Sequence, residues 1–292
     1  MTTSLTDNRR AALGALWMLG AVASFTLMAV AGRSAAAVYD TFEIMLYRSL
    51  SGLVMLLAFA AATGRLGQIG HRRLGLMGLR NVFHFAGQNC WFYAITVLPL
   101  AQVFALEFTT PIWVLLLAPF TLGERITGRG ALVAGLGFAG ILIVTRPWSG
   151  STDPALILAA LAAVGFAVSA ITTRALTRTE TVISILFWLH VMQAAMALVA
   201  AGIDGDIAPP QWDQAIPLLS VGLLGLTAHA CLTTALSLAP AQRVMPVDFL
   251  RLPLIIVLGW VLYQEPANLW VILGGGLILF SNWLNLTTPR RA

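Results

Sequence analysis

Ten apolar segments follow one another along the chain, near residues 11–32, 41–62, 74–97, 101–121, 130–147, 154–174, 181–202, 214–238, 241–263 and 267–287. Crossing a hydrocarbon layer of about 30 Å takes about 20 apolar residues in a helix, and each segment is near that length. The gaps are short and hold glycine, proline and charge, as in ATGRLGQIGHRR and AGIDGDIAPPQW. None is long enough for a soluble domain. The expected fold is all-α, an integral membrane protein with ten transmembrane helices. Composition agrees: 59% of the residues are hydrophobic and 10% charged, where a soluble domain carries roughly a quarter charged residues.

All 17 basic residues are arginine, and the formal charge is +5. These arginines fall mostly in the short gaps, so the expected partner is a lipid bilayer and not nucleic acid. They also orient the chain. With the N-terminus inside, the inner gaps hold Arg9, Arg10, Arg65, Arg72, Arg73, Arg125, Arg129, Arg174, Arg178, Arg243, Arg290 and Arg291. The outer gaps hold only Arg33 and Arg146, with the acidic stretch of Asp204, Asp206 and Asp213. Cytoplasmic loops carry the arginine excess, so both termini are expected in the cytoplasm. Arg48 and Arg251 lie inside segments, and Arg80 lies in the first turns of the third.

The basic start and the Ala29-Val30-Ala31 ending of the first segment resemble a signal peptide. Its apolar run of roughly 22 residues exceeds the usual ~7–15 of such a core and suits a spanning helix. The two cysteines, Cys90 and Cys231, both sit in apolar runs. No CxxC pair or His/Cys cluster has metal-ligand spacing, so no metal or cofactor is expected.

Sliding the sequence 141 residues against itself exposes a repeat. Phe25 meets Phe166, Arg33 meets Arg174, Pro99 meets Pro240 and Phe108 meets Phe249. Glu107 meets Asp248, Glu124 meets Glu265, Gly135 meets Gly276, and the two cysteines coincide. The first repeat is expected over 1–147, a linker over 148–153 and the second repeat over 154–292. Each copy holds five segments. An odd number makes the second copy enter the membrane from the opposite side. Such inverted-topology repeats are typical of secondary transporters, whose sites lie near the midplane at the repeat interface.

The chain resembles the drug/metabolite transporter superfamily, in its EamA-type branch with two five-helix halves. The resemblance rests on FEIMLYRSLSGLVMLL, on PLAQVFALEFTTPIWVLLLAPFTLGER, and on the glycine-rich ALVAGLGFAGILIV. The second-half equivalents are PAQRVMPVDFLRLPLIIVLGWVLYQE and VILGGGLILF. By general character it looks most like bacterial inner-membrane exporters of aromatic and other amino acids. The resemblance implies a secondary transporter with amino acids as the small-molecule substrate, acting by alternating access as a monomer or weak homodimer. A permease for other metabolites or drugs is the alternative. Leu189 and His190 stand where the first half has Arg48 and Ser49, so that arginine is not duplicated.

Polar residues in the apolar segments mark the site. Asn81, His84 and Gln88 share one helix face at i, i+3 and i+7. Three polar groups on one face point away from lipid, into a substrate cavity or toward a neighbouring helix. His229 and Thr233 share a face in the eighth segment, and His229 is the repeat counterpart of Gln88. His190 stands in the seventh. Each histidine suits either a packed residue or a site residue. Arg251 can pair with Asp248 one turn before it and can also meet a substrate carboxylate. Glu107 has no basic residue at helical spacing. It must find a partner elsewhere, with Arg48 a candidate, or stay protonated as a proton carrier. Trp17, Phe83, Trp91, Tyr93 and Trp113 suit either a pocket for flat groups or packing and interface belts.

Other classes fit less well. An intramembrane enzyme needs a nucleophile–base pair or a metal cluster, and neither HExxH nor GxSxG occurs. A channel or helper subunit stays open as a reading. The phosphate loop GxxxxGK[ST] is absent, which argues against direct ATP drive.

Overall fold

A computed structural model describes residues 2–122, 128–149, 153–203, 205–239, 244, 247–266 and 268–286. All regular structure among them is helical: α1 (Thr2–Ala35), α2 (Thr41–Ala62), α3 (Leu74–Val97), α4 (Leu100–Glu107), α5 (Thr110–Leu122), α6 (Gly128–Thr145), α7 (Pro154–Leu176), α8 (Val182–Ala201), α9 (Ala215–Leu238), α10 (Arg251–Tyr263) and α11 (Leu269–Leu286), with short 3-10 turns between. Glu124, Arg125, Asp204, Arg243, Arg290, Arg291 and the start of the ninth expected segment lie outside the described residues.

Among the described residues seven stretches are long and apolar enough to cross a membrane, one of them Leu100–Leu117 across α4 and α5; α10 and Leu269–Asn285 are shorter apolar helices. Leu74–Val97 is not among the seven, although it is 24 residues long. Arg80, Asn81, His84, Gln88 and Asn89 dilute it, and all five are buried. The outward faces are the oily ones: Leu16, Val54, Val82, Ile157, Val199 and Ile216 are each more than half exposed. Polar side chains inside and large apolar ones outside is the distribution that lipid rewards.

The fourth segment is not one helix over 101–121, as its composition suggests. It breaks at Phe108–Thr109, between α4 and α5. Pro111 lies in the first turn of α5, where its missing N–H removes no bond the helix needs. Local groups cap what the break frees. Thr110 Oγ1 donates to the carbonyl of Glu107 at 2.7 Å, and Asn282 Nδ2 donates to that of Phe108 at 2.6 Å. Away from water each such carbonyl needs a partner.

Thr41, Leu74 and Gly128 open helices whose second-half counterparts open at Val182, Ala215 and Leu269, each 141 residues later. The chain forms two compact units that each draw on both halves: residues 1–85 with 171–248, and 86–170 with 249–292.

In the first unit α1 runs along α9. Gly14 lies against Ala235 and Val244, and Gly20 lies against Cys231. Helices α2 and α8 are antiparallel, since Arg48 reaches Gln193 while Gly52 meets His190. At one end of the unit Tyr39 and Glu43 hold the 208–211 backbone. At the other, Thr181, Ser184 and Trp188 hold the backbone of 68–70. Asp40 starts α2 with a capping box, its side chain accepting from Glu43 N while Glu43 returns to Asp40 N.

In the second unit α6 and α11 are antiparallel, with Val133 bonded to Ser281 and Gly140 against Gly274 and Ile278. These two pairs, α2 with α8 and α6 with α11, join helices that occupy equivalent places in the two halves.

Candidate functional site

The first unit buries a polar cluster built from α2, α3, α8 and α9. His84 and His229 meet through their Nε2 atoms at 3.1 Å, ring centroids 4.9 Å apart. A bond between two such nitrogens requires one to carry a proton and the other to be bare. The rings of Phe25 and His229 stand perpendicular, their centroids 5.3 Å apart. Thr233 is buried one turn further along α9. Asn81 donates through Nδ2 to the Trp188 carbonyl at 3.0 Å, and its Oδ1 accepts from Arg80 Nη1 at 2.8 Å. Arg80 Nε donates to Thr173 Oγ1 at 3.1 Å. Arg48, with no exposed surface, donates through Nη1 to Gln193 Oε1 at 2.9 Å.

Two glycines shape this cluster by close approach. A methyl group at residue 52 would lie 2.4 Å from His190 Cε1, and one at residue 225 would lie 2.8 Å from Arg48 Nε. Each buried side chain is seated against a neighbouring helix where no side chain stands.

The second unit holds a charged pair. Arg251 Nη1 lies 2.8 Å from Glu107 Oε1, and Trp91 Nε1 donates to the other carboxylate oxygen at 2.8 Å. The guanidinium lies over the rings of Phe104 and Phe108, 5.4 and 5.1 Å from their centroids. Glu107 therefore has a basic partner, Arg251, while Arg48, named as a candidate, bonds Gln193. Arg251 meets this carboxylate across 144 residues of sequence, a partner that helical spacing does not offer. Asp248 is buried and ends the first unit. Gln88 is buried in the part of α3 that belongs to the second unit.

Trp91 is buried against Phe92 and Phe104, whereas Trp17, Phe83 and Tyr93 face outward, and Trp113 turns to Thr109 and Phe138. Sequence reading also missed Arg80, Ser49 and Gln193. Gln193 carried a signal, since it shares a face with His190 at i, i+3 in an otherwise apolar run. Among the described residues no three His, Cys, Asp or Glu side chains are grouped to hold a metal ion.

Comparison with known proteins places this architecture. The sequence profile of the EamA-like transporter family matches residues 12–146 and again 153–287. A riboflavin transporter of Rhizobium johnstonii is 31% identical, over 99% of this chain and 96% of that protein. An S-adenosylmethionine uptake transporter of Rickettsia bellii is 24% identical over 96% of this chain and 95% of that protein. A protein of known crystal structure, 17% identical, superposes with a TM-score of 0.65 over 93% of this chain and 96% of its own, a likeness of fold alone. With the profile matched twice along its length, the chain belongs to the EamA-like transporter family, and is a multi-pass membrane transporter of small molecules and not an enzyme.

Proposed function

We propose that the protein carries a flat, nitrogen-rich, neutral solute of the riboflavin class across a bacterial inner membrane by alternating access. The observation that carries this reading is the buried His84–His229 pair, with Asn81 and Thr233 one turn away on the same helices and the Phe25 ring against His229. Neutral donors and acceptors next to an aromatic ring match the edge and face of a heteroaromatic solute. The full-length similarity to a riboflavin transporter supports the same class. In this reading ten spans form two inverted repeats, 1–147 and 154–292 joined by 148–153. The solute lies near the midplane between repeats, with Asn81, His84, His190, His229 and Thr233 of the first unit around it. The end of the first unit that carries Arg65, Arg72, Arg73, Arg174 and Arg178 faces the cytoplasm, and both termini lie there.

Amino-acid export is the second reading. The Glu107–Arg251 pair favours it, because opposite charges 2.8 Å apart can open to receive both ends of a zwitterion. One experiment separates the two. Protein reconstituted in liposomes is loaded with riboflavin, S-adenosylmethionine or aromatic amino acids, and counterflow of the labelled compound is measured. Riboflavin is expected to exchange and the amino acids not to. His84→Ala and His229→Ala should each reduce exchange about tenfold, the effect of losing about 1.4 kcal/mol of solute interaction. Exchange of phenylalanine but not riboflavin would overturn the first reading in favour of the second.

A further inference from the structure

We propose that Arg48, Ser49, His190 and Gln193 form an internal site for a small monovalent anion, a halide or a carboxylate group. All four residues have no exposed surface. Apart from the Arg48–Gln193 bond, their polar atoms are unmet: Arg48 Nε and Nη2, Ser49 Oγ, both ring nitrogens of His190, and Gln193 Nε2. The acceptor of Gln193 is already taken by Arg48. What is left is mostly donors around a full positive charge, and the complement of that set is an anion.

Charge sharpens the point. Among the described residues no carboxylate pairs with Arg48 or with Arg80: Arg48 bonds Gln193, and Arg80 bonds Thr173 and Asn81, all neutral. The two guanidinium groups are close enough to act on one another and on His190, His84 and His229. Glu43, the acid on the same helix as Arg48, is engaged by the backbone N–H groups of Asp40 and Ala208 at the end of the unit. Water would meet the hydrogen bonds and leave two buried cations without a counter-charge, a costly arrangement at bilayer depth. The geometry is held on both sides: Gly52 seats His190, and Gly225 seats the guanidinium edge that carries the two unmet nitrogens, with no side chain of its own to meet them. The site shares only His190 with the solute site proposed above.

The test is thermal unfolding of the purified protein in detergent at constant ionic strength. The salts compared are sodium chloride, sodium formate and the sodium salt of HEPES, whose sulfonate is too bulky to enter. A ligand that binds only the folded state raises Tm in a saturable way. Chloride or formate should raise Tm above the HEPES value, and Arg48→Gln should abolish the difference. If Arg48→Gln does not fold, Ser49→Ala and Gln193→Ala should each weaken the apparent anion affinity by about 3- to 10-fold. Equal Tm in all three salts, or an undiminished response in these variants, overturns the proposal. Uptake in proteoliposomes then tells the sources apart. Chloride that accelerates uptake or leaves it unchanged is an ion with its own place. Chloride that inhibits, with relief at higher solute concentration, occupies the place of an anionic group on the solute.

Discussion

Glu107 shows how one buried acid is made tolerable. Its two oxygens are taken separately, one by Arg251 and one by Trp91, and Phe104 and Phe108 flank the cation. Both charged side chains are largely buried, at 7% and 13% exposure. Removing one partner leaves the other charge stranded, which typically costs about 3–5 kcal/mol. Glu107→Gln and Arg251→Met should both lower the unfolding temperature in detergent, and by a similar amount. Trp91→Phe removes one charge-assisted hydrogen bond and should cost less, about 1.5–3 kcal/mol. Melting curves of the three variants decide it. If Glu107→Gln melts with the wild type, the pair contributes nothing to the fold and is free to act in transport alone.

At the scale of the helix, small residues decide which surfaces can touch. The glycines of α6 and α11 read alike in the sequence, yet the structure divides them. A methyl group at Gly140 would fall 2.8 Å from the Gly274 carbonyl, and one at Gly274 would fall 2.7 Å from the Gly140 carbonyl. Backbone cannot swing aside as a side chain does, so Gly140→Ala and Gly274→Ala must spread the two helices. Overpacking of this kind costs about 1–3 kcal/mol. Gly135 and Gly276 meet nothing within 4 Å. Gly276→Ala should therefore be neutral or stabilise by up to about 1 kcal/mol through helix propensity. Thermal unfolding of the alanine variants tests this division, and equal losses at Gly140 and Gly276 would refute it.

For the whole molecule the open quantity is which side is which. The first unit groups the 36–40 connection with the 208–211 segment at one end, and the 66–70 turn with residues 181–188 at the other. The arginine-rich gaps lie at the second end, so that end should face the cytoplasm. In a background carrying Cys90→Ser and Cys231→Ser, Asp213→Cys should react with an impermeant thiol reagent applied outside intact cells. Arg72→Cys should react only after the membrane is opened. The reverse pattern would invert the orientation.

The all-helical character of the chain, the presence of two related halves and the burial of Asn81, His84 and Gln88 were legible in the chain itself. The reason is that hydrophobic length and periodicity are written along one segment and need no knowledge of its neighbours. The break at Phe108–Thr109 was half legible, through Pro111. Partnerships were not. His84 with His229, Arg48 with Gln193, and Glu107 with Arg251 each join residues 144 or 145 apart. Such pairs depend on how each helix is rotated and on where two helices cross. Those are settled by packing: Gly52 and Gly225 let His190 and Arg48 close in, and Gly140 and Gly274 let α6 meet α11. Spacing along one helix does not offer Arg251 to Glu107, and only the tertiary structure brought the two together, because the crossing of helices sets the distances between charges.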